Sequence, residues 1–93
     1  MVVAILTLEL VVYDAMSLKD KRRVIKSLKE RIRNRFNVSV AEVEHLDSRQ
    51  RATVAVAIVS NDAKFANGCL DRIVDLVRTQ SPATLIDFDK ETL

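Results

Sequence analysis

The hydrophobic pattern changes once within residues 2–36, which read VVAILTLELVVYDAMSLKDKRRVIKSLKERIRNRF. Residues 2–13 are rich in β-branched side chains, and every even position is apolar, which is typical of a strand with one face in a core. Residues 17–36 instead have the period of an amphipathic helix at 100° per residue. Its apolar side consists of Leu18, Val24, Ile25, Leu28, Ile32 and Phe36. The opening of the chain therefore predicts a strand followed by a helix.

The first helix has a recognisable start. Ser17 is followed three residues later by Asp20, a spacing that resembles a capping box, and an acid in the first turn suits the helix dipole. Asn37 is the predicted end of the helix.

Four further elements follow. Residues 38–46 predict a second strand, in which the apolar parity shifts between Val40 and Val43 and indicates a bulge. A polar turn over residues 47–51 leads to a third strand over residues 52–60. A second helix starts after residues 60–62 and ends before Ser81 and Pro82, and residues 84–88 predict a fourth strand at a sheet edge. The apolar side of the second helix consists of Ala66, Cys69, Leu70, Ile73, Leu76 and Val77.

The order strand, helix, strand, strand, helix, strand predicts an α+β fold, the ferredoxin-like βαββαβ sandwich. In this fold a four-stranded antiparallel sheet carries both helices on one face. A chain of 93 residues suits a single domain over residues 1–93, with one modest core.

The helix-free face of this sheet is predicted to be apolar. It would carry Val3, Ile5, Val11, Tyr13, Thr53, Ala55, Ala57 and Val59. Monomers rarely leave such a patch exposed, so the sequence predicts a homodimer through this face. The alternative is that residues 90–93 fold over part of it.

Composition favours a cytoplasmic protein. Cys69 is the single cysteine, so neither an intrachain disulfide nor a thiolate-rich metal site is expected. The apolar first strand lacks a basic n-region and carries Glu9, so it does not predict a signal peptide, and it is too short to span a bilayer. We therefore expect no membrane contact.

Positive charge is concentrated in the first helix. Residues 17–36 contain nine of the fifteen Lys and Arg residues and two acids, whereas the remainder contains six basic and eleven acidic residues. The candidate nucleic-acid-binding residues, which we call the basic ridge, are Lys19, Arg22, Arg23, Lys26, Lys29 and Arg33. Cations on one helix face contact phosphates without reading sequence. The alternative is an ordinary solvated helix face.

Several other residues are predicted to be structural. Arg31, Arg35 and Lys21 lie at the margins of the apolar side, where they would cover the core or pair with Glu42 or Glu44. His45 lies near three acids, but Glu42 and Asp47 point to opposite faces of a strand and no second His or thiolate is present, so no metal site is expected. Cys69 is predicted to be a buried thiol.

Enzyme signatures are missing from the sequence. It contains one glycine and therefore no Gly-rich phosphate loop, and no nucleophile elbow or zinc-protease motif is found. The turn at residues 48–51 and the cap at residues 60–62 could touch an anion, but ordinary turn and capping chemistry explains both. We expect neither catalysis nor a cofactor.

Three segments carry a family resemblance: SLKDKRRVIKSLKERIRNRFNVSVAEV at residues 17–43, RQRA at residues 49–52 and VSND at residues 59–62. Together they resemble the YlxP-like family of small bacterial proteins, a domain of unknown function. Members are usually encoded among transcription and translation factors, near a ribosome-binding factor, which implies a role around RNA or ribosomes. The family often has a large or aromatic residue where this chain has Arg49, so no role of that residue is transferred. The family has no established catalytic residues.

The sequence therefore predicts a non-catalytic, RNA- or ribosome-associated binding module that uses its basic first helix to contact RNA or a ribonucleoprotein. The alternative is an oligomeric interaction or small-ligand module without a nucleic-acid partner. In that case the apolar sheet face would mediate assembly, and the basic helix would meet an acidic partner, either a protein or a metabolite.

Overall fold

The computed structural model describes all 93 residues, Met1–Leu93. Its elements are β1 (Val2–Val11), α1 (Leu18–Arg35), β2 (Ser39–Glu44), β3 (Arg51–Ser60), α2 (Ala63–Gln80) and β4 (Thr84–Thr92). The strands form one antiparallel sheet in the order β2-β3-β1-β4. This architecture confirms the predicted ferredoxin-like fold.

The core lies between one face of the sheet and both helices. From β1 it takes the even-numbered residues Ala4, Leu6, Leu8 and Leu10, which are all buried. The helices contribute their apolar sides, and the central residues of those sides are also buried. The alternating apolar residues of β1 and the apolar sides of the helices thus pack together in one layer of aliphatic side chains, as the sequence predicts.

The N-termini of both helices are capped by side chains. The Ser17 hydroxyl accepts a hydrogen bond from the Asp20 backbone N–H at 3.1 Å, and the Asp20 carboxylate accepts one from the Met16 N–H at 3.1 Å. This is a shifted capping box, because the carboxylate bonds the residue before the cap rather than the cap itself. At α2, the Asp62 carboxylate accepts from the N–H groups of Lys64 and Phe65.

The predicted bulge in β2 is present. Glu42 pairs with Val54 and Glu44 pairs with Thr53, so Val43 is the extra residue. Directly after the strand, His45 adopts a left-handed backbone with φ of 62°. The bulge and this residue together turn the chain away from the sheet at the end of β2.

The fourth strand is longer than predicted. It extends to Thr92 and pairs with β1 along its length, and Leu93 donates its N–H to the Val3 carbonyl at 2.8 Å. The alternative in which residues 90–93 cover the sheet is therefore wrong. Their backbone groups are satisfied by pairing with β1, which holds these residues at the sheet edge.

The helix-free face of the sheet has an apolar part and an acidic part. Val3 lies opposite Val59 and Ile5 lies opposite Ala57, and Val59 is 67% exposed. Towards β4 the same face carries the carboxylates of Glu9, Asp87, Asp89 and Glu91. Glu9 accepts a hydrogen bond from the hydroxyl of Thr53. The acidic edge is a feature that the apolar sequence pattern of β1 and β3 does not predict.

Neither helix is long and apolar enough to cross a membrane.

Candidate nucleic-acid interface

The basic ridge lies on the outer surface of α1. Ile25, Leu28 and Ile32 face the core, and this turns the opposite side of the helix towards solvent. The side chains of the ridge are exposed apart from Lys29, which is half-buried. The amphipathic period therefore places the six predicted residues along one accessible helix.

Carboxylates neutralise little of this charge. The protein has three salt bridges, and one of them involves the ridge, between Arg23 and Asp20 at 3.9 Å. The side chains of Lys19, Arg22, Lys26 and Lys29 form neither a salt bridge nor a hydrogen bond within the protein. Four cations thus remain available to an external anion.

Arg33 differs from the other ridge residues. Its guanidinium donates a hydrogen bond to the Val40 carbonyl of β2 at 2.9 Å. This contact attaches the last turn of α1 to the sheet. Arg33 remains exposed, so its guanidinium can also contact an external anion.

The flanking arginines do not find the partners that the sequence suggested. Arg31 donates to the carbonyl of Gln80, at the end of α2, and Arg35 is exposed without an ion pair. The predicted pairing with Glu42 or Glu44 is therefore wrong for Arg31 and Arg35, but it is confirmed for Lys21. Glu42 is already engaged by a different cation, the ammonium of Lys21.

Lys21 is completely buried, with a relative exposure of 0%. Its ammonium lies 2.6 Å from the Glu42 carboxylate and donates to the carbonyls of His45 at 3.0 Å and Leu46 at 3.5 Å. These acceptors match the three N–H donors of a lysine. Lys21 therefore fastens the first turns of α1 to the end of β2.

The sequence contains a signal for this burial. Lys21 precedes Ile25 by four residues, and Leu28 and Ile32 continue the same stripe at spacings of three and four. Residues at these spacings share one helix face. A lysine on the core-facing stripe, with an acid on the neighbouring strand, indicates a buried ion pair.

The remaining candidates have ordinary surroundings. His45 is exposed at the end of β2, and no group of three or more His, Cys, Asp or Glu side chains is arranged to hold a metal ion. Cys69 is buried in α2, where its sulfur lies 3.3 Å from the guanidinium of Arg72. Phe88 packs against the core beneath Arg78. Tyr13 is exposed in the turn after β1, so its predicted place on the helix-free sheet face is wrong, because β1 ends at Val11.

Comparison with known proteins identifies a family and a relative. Residues 3–90 match the model of a family described as "Protein of unknown function (DUF503)". A stretch of 69 residues is 38% identical to "Uncharacterized protein YlxP" of Bacillus subtilis (strain 168), and it covers 74% of this chain and 75% of that relative.

Proposed function

The chain belongs to the DUF503 family of proteins of unknown function, and we propose that it is a non-catalytic, cytoplasmic binding module that attaches to RNA or a ribonucleoprotein through the basic ridge. The observation that carries this proposal is the absence of internal partners for Lys19, Arg22, Lys26 and Lys29. A polyanion would supply the missing counter-charges.

Repulsion within the ridge supports the same proposal. Lys19 and Arg23, Arg22 and Lys26, and Lys29 and Arg33 are each separated by four residues. Like charges at this spacing destabilise a helix by about 0.2–0.5 kcal/mol per pair. A surface that tolerates three such pairs gains stability when phosphates approach it, whereas a helix selected for solubility would alternate the charges.

The proposed mode of contact is to the phosphate backbone. Modules that read bases on a sheet stack them on several exposed aromatic rings, and the free face of this sheet carries acids and small aliphatic residues instead. Lysine and arginine side chains on a convex helix reach phosphate oxygens. The binding is therefore proposed to depend on charge and shape rather than on base sequence.

A second copy of the chain is the proposed occupant of the helix-free sheet face. The exposed Val59 and its neighbours Val3 and Ile5 offer the apolar contact. A two-fold axis parallel to the strands would place β4 of each copy over β2 of the other. In this orientation Asp89 would face Ala41 and Glu91 would face Ser39, so these two acids of one copy would not meet those of the other.

Charge reversal on the ridge tests the RNA proposal. We expect the variant Arg22→Glu with Lys26→Glu to lose retention on structured RNA at low salt, because it removes two phosphate contacts and adds repulsion. The matched control is Lys64→Glu with Arg72→Glu, which changes the net charge equally on α2. Circular dichroism checks that both variants are folded.

Three outcomes would contradict the proposal. If the ridge variant is retained on RNA as well as the unmodified protein, the ridge is not the RNA-binding surface. Equal loss in the α2 control would mean that net charge alone drives retention. If an acidic protein still binds the ridge after nuclease treatment and RNA does not, the alternative of an oligomeric interaction or small-ligand module without a nucleic-acid partner becomes the better description.

A further inference from the structure

A cleft of about 460 Å³ opens at the end of the sheet where β1 leads into α1 and β2 turns into β3. It is lined by Ala15, Met16, Ser48, Arg49, Gln50 and Arg51. The topology creates it, because β1 and β2 are both antiparallel to β3, so their carboxyl ends lie at the same end of the sheet, on either side of the start of β3. The turn and the loop that follow these strands form its two walls.

The lining of the cleft carries positive charge without a counter-charge. Neither Arg49 nor Arg51 forms a salt bridge, and no carboxylate lines the cleft. The nearby acids Asp14 and Asp20 line a separate hollow together with Arg23. Two guanidinium groups thus share a concave surface that has no internal anion.

The walls of the cleft are held in place by hydrogen bonds. The Gln50 carbonyl accepts from the Val12 N–H at 2.8 Å, and the Gln50 side-chain amide donates to the Tyr13 carbonyl at 3.1 Å. On the other side of the turn, the Lys21 ammonium holds the carbonyl of His45. The cleft is therefore formed before any ligand arrives, which reduces the entropic penalty of binding.

We propose that this cleft binds the phosphomonoester group of a nucleotide, with Arg49 and Arg51 as the phosphate ligands. A phosphomonoester carries a charge of about −1.5 to −2 near neutral pH, which matches two guanidinium groups, and arginine forks suit its oxygens. The volume of the cleft, about 460 Å³, lies in the usual range for small-ligand sites.

Shape separates this site from the basic ridge. The ridge is convex and can follow the bridging phosphates of a continuous strand, whereas a concave cleft admits a group that protrudes, such as a terminal phosphate. Two sources of that group are a free nucleotide and the 5′ end of an RNA. Only the second source rests on the proposed RNA-binding function.

Calorimetric titration with adenosine 5′-monophosphate tests the site directly. We expect saturable binding to the unmodified protein and at least tenfold weaker binding to the variant Arg49→Gln with Arg51→Gln. Lys64→Gln with Arg72→Gln is the matched control, because it removes the same charge from α2 and should bind like the unmodified protein. No saturable binding, or equal binding by all three proteins, would overturn the proposal.

A second comparison identifies the source of the phosphate. If the RNA end is the ligand, an oligonucleotide with a 5′-phosphate binds more tightly than the same oligonucleotide with a 5′-hydroxyl, and the Arg49 and Arg51 variant loses this preference. Equal binding of the two oligonucleotides, together with saturable binding of the monophosphate, assigns the cleft to a free nucleotide. If the ridge variant retains RNA binding, the proposal that the ridge binds RNA is wrong. The cleft proposal, which the titration tests, is not affected by that result.

Discussion

The ammonium of Lys21 and the carboxylate of Glu42 form a 2.6 Å ion pair with 0% of the lysine side chain and 10% of the glutamate side chain exposed. The pair joins α1 to the bulged strand β2. Two backbone carbonyls complete the environment of the ammonium. It is the one salt bridge of the protein whose two members are both shielded from water.

Replacing one member of this pair should destabilise the protein more than replacing both. We expect Lys21→Met to reduce the free energy of unfolding by about 3–5 kcal/mol, because it leaves a buried carboxylate without a partner. Lys21→Met combined with Glu42→Leu should recover much of the loss. Urea denaturation of both single variants and the double variant measures the coupling. Additive losses would show that the two residues act independently.

RNA binding through the basic ridge should depend strongly on salt. With about four to six phosphates neutralised, the slope of log K against log salt concentration should be about −3 to −5. Replacing Lys26 and Lys29 by Gln should reduce its magnitude by about 1.4–1.8, since each phosphate contact contributes ~0.7–0.9. Filter binding across a salt series gives the slope. A slope unchanged by these substitutions would place the contacts elsewhere.

Self-association through the helix-free sheet face should be sensitive to Val59. A carboxylate at this exposed position would be buried by a second copy without a partner, so Val59→Asp should yield a monomer. Sedimentation equilibrium compares the mass with the 10.5 kDa of one chain. Leu46→Asp, at an exposed position in the turn after β2, should leave the assembly unchanged. A monomeric unmodified protein would contradict the proposed interface.

Gly68 offers a site for stabilisation. It lies within α2, and a methyl group built there would meet no atom within 4 Å. Gly68→Ala should therefore raise the free energy of unfolding by about 0.5–1 kcal/mol through the lower flexibility of the unfolded chain and better helix propensity. Thermal and urea denaturation would measure the gain. A loss of stability would indicate that the helix packs more closely at this point than the structure shows.

The fold was predictable because local patterns agreed with the tertiary structure. The alternating apolar residues of β1 and the period of α1 identify their buried sides without knowledge of their neighbours. The parity change around Val43 likewise marks the bulge. The end of β4 was missed because Asp89, Lys90 and Glu91 are charged, and an edge strand can pair its backbone while its side chains stay in water.

The site was less predictable because it depends on contacts between distant segments. The exposure of the basic ridge follows from helical period alone, but the burial of Lys21 requires Glu42, which lies 21 residues away on a bulged strand. The cleft requires the turn at Arg49 to meet the loop at Met16. Neither segment carries a sequence motif that predicts contact with the other, so their contact follows only from the topology of the sheet.

The bracing of the cleft by Gln50 and Lys21 also has a kinetic consequence. Because no segment must swing open before a ligand enters, the observed association rate should rise linearly with ligand concentration and show no plateau. Discrimination between ligands would then arise in the lifetimes of their complexes. Ligands whose charge matches both Arg49 and Arg51 would dissociate slowly, and other ligands would dissociate quickly.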